Sequence, residues 1–171
     1  GLFEEYQSFR YDSAYFYANR SLELAGQMND QDKMVRSRCA VVFCYMSSGL
    51  FLEAFDEMKK VDARNASLQV KKEYYSLYNR LYYDASDFND TENWSAEYTR
   101  LGTLYADSLM SIVPKESYDY IFAVAQSEIK HWHYSQCIDF YKQLLDEHTV
   151  SDHNKAIINS SIGGAYKVLG Q

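Results

Sequence analysis

Residues 45–54 read Tyr45-Met46-Ser47-Ser48-Gly49-Leu50-Phe51-Leu52-Glu53-Ala54, and the reading of the fold turns on them. An apolar run from Ala40 to Met46 leads into two serines and a glycine. Glycine adopts positive φ without a Cβ penalty, so it ends a helix at its C-terminal cap. Phe51 follows as a ring able to pack into the turn. Ala54 then lets a second helix lie close against the first; a larger side chain there would overpack the contact, at about 1–3 kcal/mol. Glu57, one turn further on, is expected to be exposed. The segment predicts a helical hairpin with a tight turn.

The same phrase recurs along the chain. Tyr11-Asp12-Ser13-Ala14, Phe51-Leu52-Glu53-Ala54, Asn93-Trp94-Ser95-Ala96 and Tyr134-Ser135-Gln136-Cys137 each open an amphipathic segment. Their small residues stand 40, 42 and 41 positions apart, a spacing that unrelated helices have no reason to keep. Tyr45 and Gly49 reappear as Tyr166 and Gly170, whereas Trp132 takes the glycine position of the fourth copy. The predicted helices are a partial one ending near Phe9, then 12–28, 31–48, 51–63, 67–85, 91–113, 117–131, 134–148 and 152–169. Asn29 or Asp30, Ser117, and Ser151 or Asp152 are the expected caps. Pro114 stops the sixth helix, and residues 86–90 form a polar loop. Gly163-Gly164 permits a close helix contact.

Composition agrees with an all-α array. Seven glycines and one proline are too few for the tight turns of an all-β chain of 171 residues. The formal net charge is −7 and no basic run exceeds two residues. This segment is therefore not expected to grip nucleic acid, which needs clustered Lys and Arg. No stretch approaches the roughly 20 apolar residues of a membrane span. Cys39, Cys44 and Cys137 have no CxxC spacing and read as buried apolar residues. One domain over 1–171 is expected, with about four helix pairs and truncated ends, as a piece of a longer protein; the compartment is not legible.

The recurring residues resemble the tetratricopeptide repeat family. Tyr45, Gly49, Phe51 and Ala54 carry the resemblance most clearly, with Tyr11 and Ala14, and Tyr134 and Cys137, in other copies. The resemblance implies an α-α superhelix of antiparallel helix pairs that binds a protein or peptide. Two departures stand out: the period is near 41 rather than about 34, and Arg38 occupies the position of an early large aromatic. Leu22-Glu23-Leu24-Ala25 and Tyr105-Ala106-Asp107-Ser108-Leu109, in a chain with 17 tyrosines, also resemble repeat regions of Bacteroidetes-type membrane-anchored transcriptional regulators. That resemblance implies a sensory or dimerisation role, with a homodimer among the partners.

Catalytic and metal signatures are missing from the sequence, and neither an enzyme nor a cofactor is expected. His131 and His133 flank Trp132, and two residues apart with helical geometry they point roughly opposite ways, which is poor for chelation. Asp84, Asp87 and Asp90 lack the alternating spacing and central glycine of a calcium loop. Glu4-Glu5, Glu116 and Glu128 are not brought to one cleft by any pattern. The candidate site is the inner face that the resemblance assigns to the first helix of each pair. Counting back from the small residues puts Arg36, Phe43, Met46 and Ser47 there, with Phe122, Gln126 and Ile129 in a later pair. Tyr75, Tyr78 and Tyr82 share one helical face, which reads first as core, as such stripes more often are, and second as an exposed aromatic groove.

Overall fold

The structure is a computed structural model that describes residues 11–89 and 91–170. Among them run eight helices and no strand: α1 (Tyr11–Met28), α2 (Gln31–Ser47), α3 (Phe51–Met58), α4 (Leu68–Phe88), α5 (Glu92–Met110), α6 (Tyr118–Lys130), α7 (Tyr134–Glu147) and α8 (Asp152–Leu169). The helix expected to end near Phe9, and the side chain of Tyr11, lie outside the described residues.

Local chemistry sets the boundaries. Asp30 caps α2 by accepting from the Lys33 amide at 3.0 Å, Ser117 caps α6 from the Tyr120 amide, and Ser151 caps α8 from the Asn154 amide. Gly49 ends α2 at φ +74°: its amide reaches the Met46 carbonyl, and the Leu50 amide reaches that of Tyr45. This is the Schellman closure that glycine favours. The same two bonds close α6, where the positive φ of +66° falls on Trp132.

Three predicted boundaries shift. Helix α3 stops at Met58 rather than 63. A turn at Lys59-Lys60 releases the chain, and Gln31 holds the Asp62 carbonyl at 2.8 Å. Helix α4 runs on to Phe88 through the expected polar loop. Ser86 is buried there, with its hydroxyl satisfied by Ser95 and Thr99 across the hairpin, so a polar residue that looked like loop is an internal contact. Helix α5 ends at Met110, before the Ile112-Val113 turn that precedes Pro114.

Helices α2/α3, α4/α5 and α6/α7 are the hairpins. Their first helices, with α8, lie side by side in parallel. At the starts, Asp32 accepts from the Ser67 amide at 2.8 Å and Lys72 pairs with Asp119 at 2.5 Å. At the ends, Lys130 reaches Asp87 and the Tyr83 carbonyl. One core fills α2 to α5 around Val42, Met46, Ala54, Met58, Tyr78 and Leu81. A second fills α6 to α8 around Ala125, Cys137, Tyr141, Leu144 and Ile158. Leu109, Val113 and Ala123 join them.

Of the small residues that set the repeat, Ala14, Ala54 and Cys137 are buried. Ala96 is exposed, and its neighbour Ser95 faces Ser86 instead, so the third copy was read one residue out of register. Close approach in that hairpin falls on Gly102, where a Cβ would meet the Tyr83 ring at 2.5 Å. Gly163 and Gly164 are exposed with open space where a Cβ would stand; the close contact expected there is not made. Glu57 is not exposed either. It accepts from Arg38 at 2.7 Å and from Lys60 at 2.7 Å, so the departure at Arg38 replaces an aromatic contact with an inter-helix ion pair.

Candidate partner-binding face

The parallel first helices put α2, α4, α6 and α8 on one face, and their side chains build it. At its centre Phe43 of α2 lies under the Arg80 guanidinium of α4, 5.5 Å from the ring centroid. Beside them a pocket of about 240 Å³ opens between Phe43, Leu77, Leu109, Phe122 and Ala123, with Arg80, Asp119 and Gln126 among its lining. The Phe122 ring is fixed by stacking on Tyr118 at 5.5 Å and by edge contact with Tyr141 at 5.8 Å. Gln126 also lines a wider cleft of about 920 Å³, which continues past Ile129 and Lys130 to Trp132 and Tyr134. The opposite wall of this cleft is Asp84, Asp87, Ser95, Thr99 and Thr103.

Charges on this face are largely neutralised in place. Arg36 forks onto Glu73 at 2.8 and 2.9 Å, Lys72 meets Asp119, Arg80 meets Asp84 at 3.3 Å, and Lys130 meets Asp87. Burial raises the Asp84 carboxyl above its ordinary range, against the pull of Arg80. The face therefore offers apolar rings, hydroxyls and an amide rather than a net charge.

Phe43, Phe122 and Gln126, expected on this face, do come together around the small pocket, and Ile129 joins Gln126 in the cleft. Arg36 is exposed and held by Glu73. Four expected residues are elsewhere. Met46 (4% exposed) and Tyr78 (1%) are core, because they point at α3 rather than away from it; the Tyr78 hydroxyl donates to the Met58 carbonyl at 2.7 Å. Tyr82 packs on Phe55, Tyr98 and Tyr105. Tyr75 lies against Tyr74 and Tyr105, beside Leu109 and Val113. The tyrosine stripe is thus an internal ladder between α3, α4 and α5. The inner side of α4 is Lys72, Ser76, Arg80 and Tyr83, part of a turn away. Spacing of Lys72, Ser76 and Arg80 by four was the signal that could have found it.

Two features of this region are not legible in the sequence, Arg80 over Phe43 and Lys130 bridging α6 to α4; Trp132 is legible as standing at a glycine position, but its exposure is not. The indole of Trp132 is 77% exposed at the mouth of the cleft, on a backbone that glycine would adopt more easily. Holding a non-glycine residue there costs about 1–3 kcal/mol. His131 and His133 sit in the turn, not on a helix, and His133 pairs with Glu128 at 2.7 Å.

A protein-family model described as the SusR N-terminal TPR domain matches residues 1–171. Neither the curated proteins nor the solved structures contain a match to the chain.

Proposed function

Because the chain belongs to the family of SusR N-terminal TPR domains, a TPR-type repeat family from Bacteroidetes regulators, we propose that it is a non-catalytic scaffold whose inner face binds a peptide or protein segment. The observation that carries this reading is the 240 Å³ pocket between Phe43 and Phe122, opening toward the cleft at Gln126. A pocket below the roughly 300 Å³ of small-molecule sites suits a single apolar side chain. The hydroxyl-lined cleft beside it suits the adjoining backbone. With the charges of the face already paired, such a ligand is neutral at its anchor, and its binding depends little on salt.

Selection of peptides from a random library on the whole chain tests this. Peptides with an apolar anchor are expected, losing at least tenfold in affinity on Phe122→Ala and on Gln126→Glu while the melting temperature of the latter stays near wild type. Selected peptides that bind both variants unchanged would move the site off this face.

A second reading draws on the regulator family itself: the domain senses or dimerises within a membrane-anchored transcriptional regulator. No helix of the described residues is long and apolar enough to cross a membrane. Sedimentation equilibrium separates the two readings. A dimer that persists when Phe43 and Gln126 are substituted supports this one.

A further inference from the structure

The exposed apolar side chains are not scattered. Parallel packing of α2, α4, α6 and α8 brings their C-terminal ends to one edge of the array. Leu50 and Leu52 protrude at the first of these ends, Leu52 with 79% of its surface free. Phe88, 70% exposed, and Trp94 stand at the second. The third carries Trp132, and the fourth Val168 and Leu169. Seven of the twelve large apolar side chains exposed among the described residues therefore share this edge, and both tryptophans of the chain are there. The first three ends are true neighbours: Phe51 and Phe88 have ring centroids 5.2 Å apart, and Lys130 ties the third end to Asp87 beside the second. The opposite edge exposes Met28 and Leu68 but is otherwise charged. Its turns hold Asp30, Lys33, Lys59, Lys60, Asp62 and Arg64, most of them in ion pairs.

Trp132 adds an independent observation. It fills the C′ position of a Schellman turn, where Gly49 and Gly170 serve two of the other first helices, α2 and α8. Its indole gains little packing for that strained backbone. A residue that costs the fold stability and stays in solvent points to a contact outside the fold.

We propose that this edge seats in the interfacial region of a lipid bilayer. Packed helices lie about 8–10 Å apart, so the four ends form a row of separate apolar tips rather than a closed patch. A rigid protein mate must match such a row tip by tip. A fluid interface accepts each side chain singly, and tryptophan, with an apolar body and a polar N–H, is the residue that interfaces favour. Charge selects the lipid. Among the described residues the charges near the edge are Glu53, Lys167, Asp87 paired with Lys130, and Glu128 hydrogen-bonded to His133, with no basic cluster. The surface is thus zwitterionic, and anionic lipid adds nothing. This contact is separate from the pocket between Phe43 and Phe122, although Trp132 also stands at the mouth of the adjoining cleft.

The two tryptophans make the edge its own reporter. The chain is titrated with phosphatidylcholine vesicles while tryptophan emission and co-sedimentation are followed. A blue shift with co-sedimentation is expected, unchanged between low and high salt and no stronger with added phosphatidylglycerol. The pair Leu52→Ser with Val168→Ser leaves both tryptophans and the core in place and should weaken vesicle binding at least tenfold. Trp132→Gly should weaken it too, while its melting temperature equals or exceeds wild type. Phe122→Ala, on the inner face, should leave vesicle binding intact even where peptide binding is lost. Unchanged emission at millimolar lipid overturns the proposal. So does a blue shift that follows protein concentration without lipid, since a second copy would then cover the edge.

Discussion

Ala54, fully buried in its hairpin, and Gly102, whose Cα faces the Tyr83 ring, both stand where a larger side chain has no room, and only one could be read from sequence. Ala54 sits five residues after a turn glycine, a pattern that announces itself; Gly102 lies mid-helix, with no neighbour in sequence to mark it. Ala54→Leu should cost about 1–3 kcal/mol by overpacking, against little for Glu53→Leu on the exposed side of the same turn. Chemical denaturation of the two variants checks this, and equal stabilities would contradict the register. Gly102→Ala should also destabilise, since the clash with the Tyr83 ring outweighs the gain in helix propensity of about 1 kcal/mol. The cysteines read correctly as buried apolar groups, and burial pushes the thiols of Cys39 and Cys137 up to about 12 from an ordinary 9.0. Burial raises the Tyr78 and Tyr141 hydroxyls as well. Because these pKa values are higher in the folded state, their contribution to stability is complete below about pH 9 and is lost as pH rises toward 12. Melting temperature should thus fall steadily above pH 9, with Cys39 and Cys137 resisting iodoacetamide until the chain unfolds.

At the scale of elements, caps and closures were the legible part. Asp30, Ser117, Ser151, Gly49 and Gly170 each act where short-range chemistry puts them. Helix α4 shows where local reading fails. Its last turn is polar, so it looked like loop, but Ser86 spends its hydroxyl on Ser95 and Thr99 of the facing helix, and no local pattern records a partner nine or thirteen residues away. In sequence the tyrosine stripe stands open between core and groove for a related reason. Spacing of three and four fixes which residues share a face but not which neighbour the face meets, and tyrosine serves core and surface alike. Its hydroxyls find partners inside: Tyr78 donates to Met58, and Tyr15 and Tyr45 share a bond at 2.8 Å. Tyr78→Phe should therefore cost about 0.5–1.5 kcal/mol, one net hydrogen bond, and leave peptide binding unchanged. Loss of binding in a variant that remains folded would return Tyr78 to the site.

Over the whole molecule, the repeat spacing announced the array, and the array determined the inner face. Phe43, Phe122 and Gln126 were legible because the turn small residues give the register of the first helices in the second and fourth copies. The third copy has no glycine at its turn, its register slipped by one, and the face of α4 was assigned to the tyrosines in place of Ser76 and Arg80. What sequence could not supply is depth: the pocket exists because α2, α4, α5 and α6 converge, with Leu109 as its floor from a second helix of a pair. That pocket is the proposed seat of the partner. The most direct measurement is a map of amide and methyl chemical-shift changes on adding a selected peptide to the isotopically labelled chain. Shifts centred on Phe43, Leu77, Phe122 and Gln126, fading toward α1, are predicted. Shifts centred on the outer surface of α1 or α7, with Leu77 and Phe122 unmoved under saturating peptide, would contradict the account.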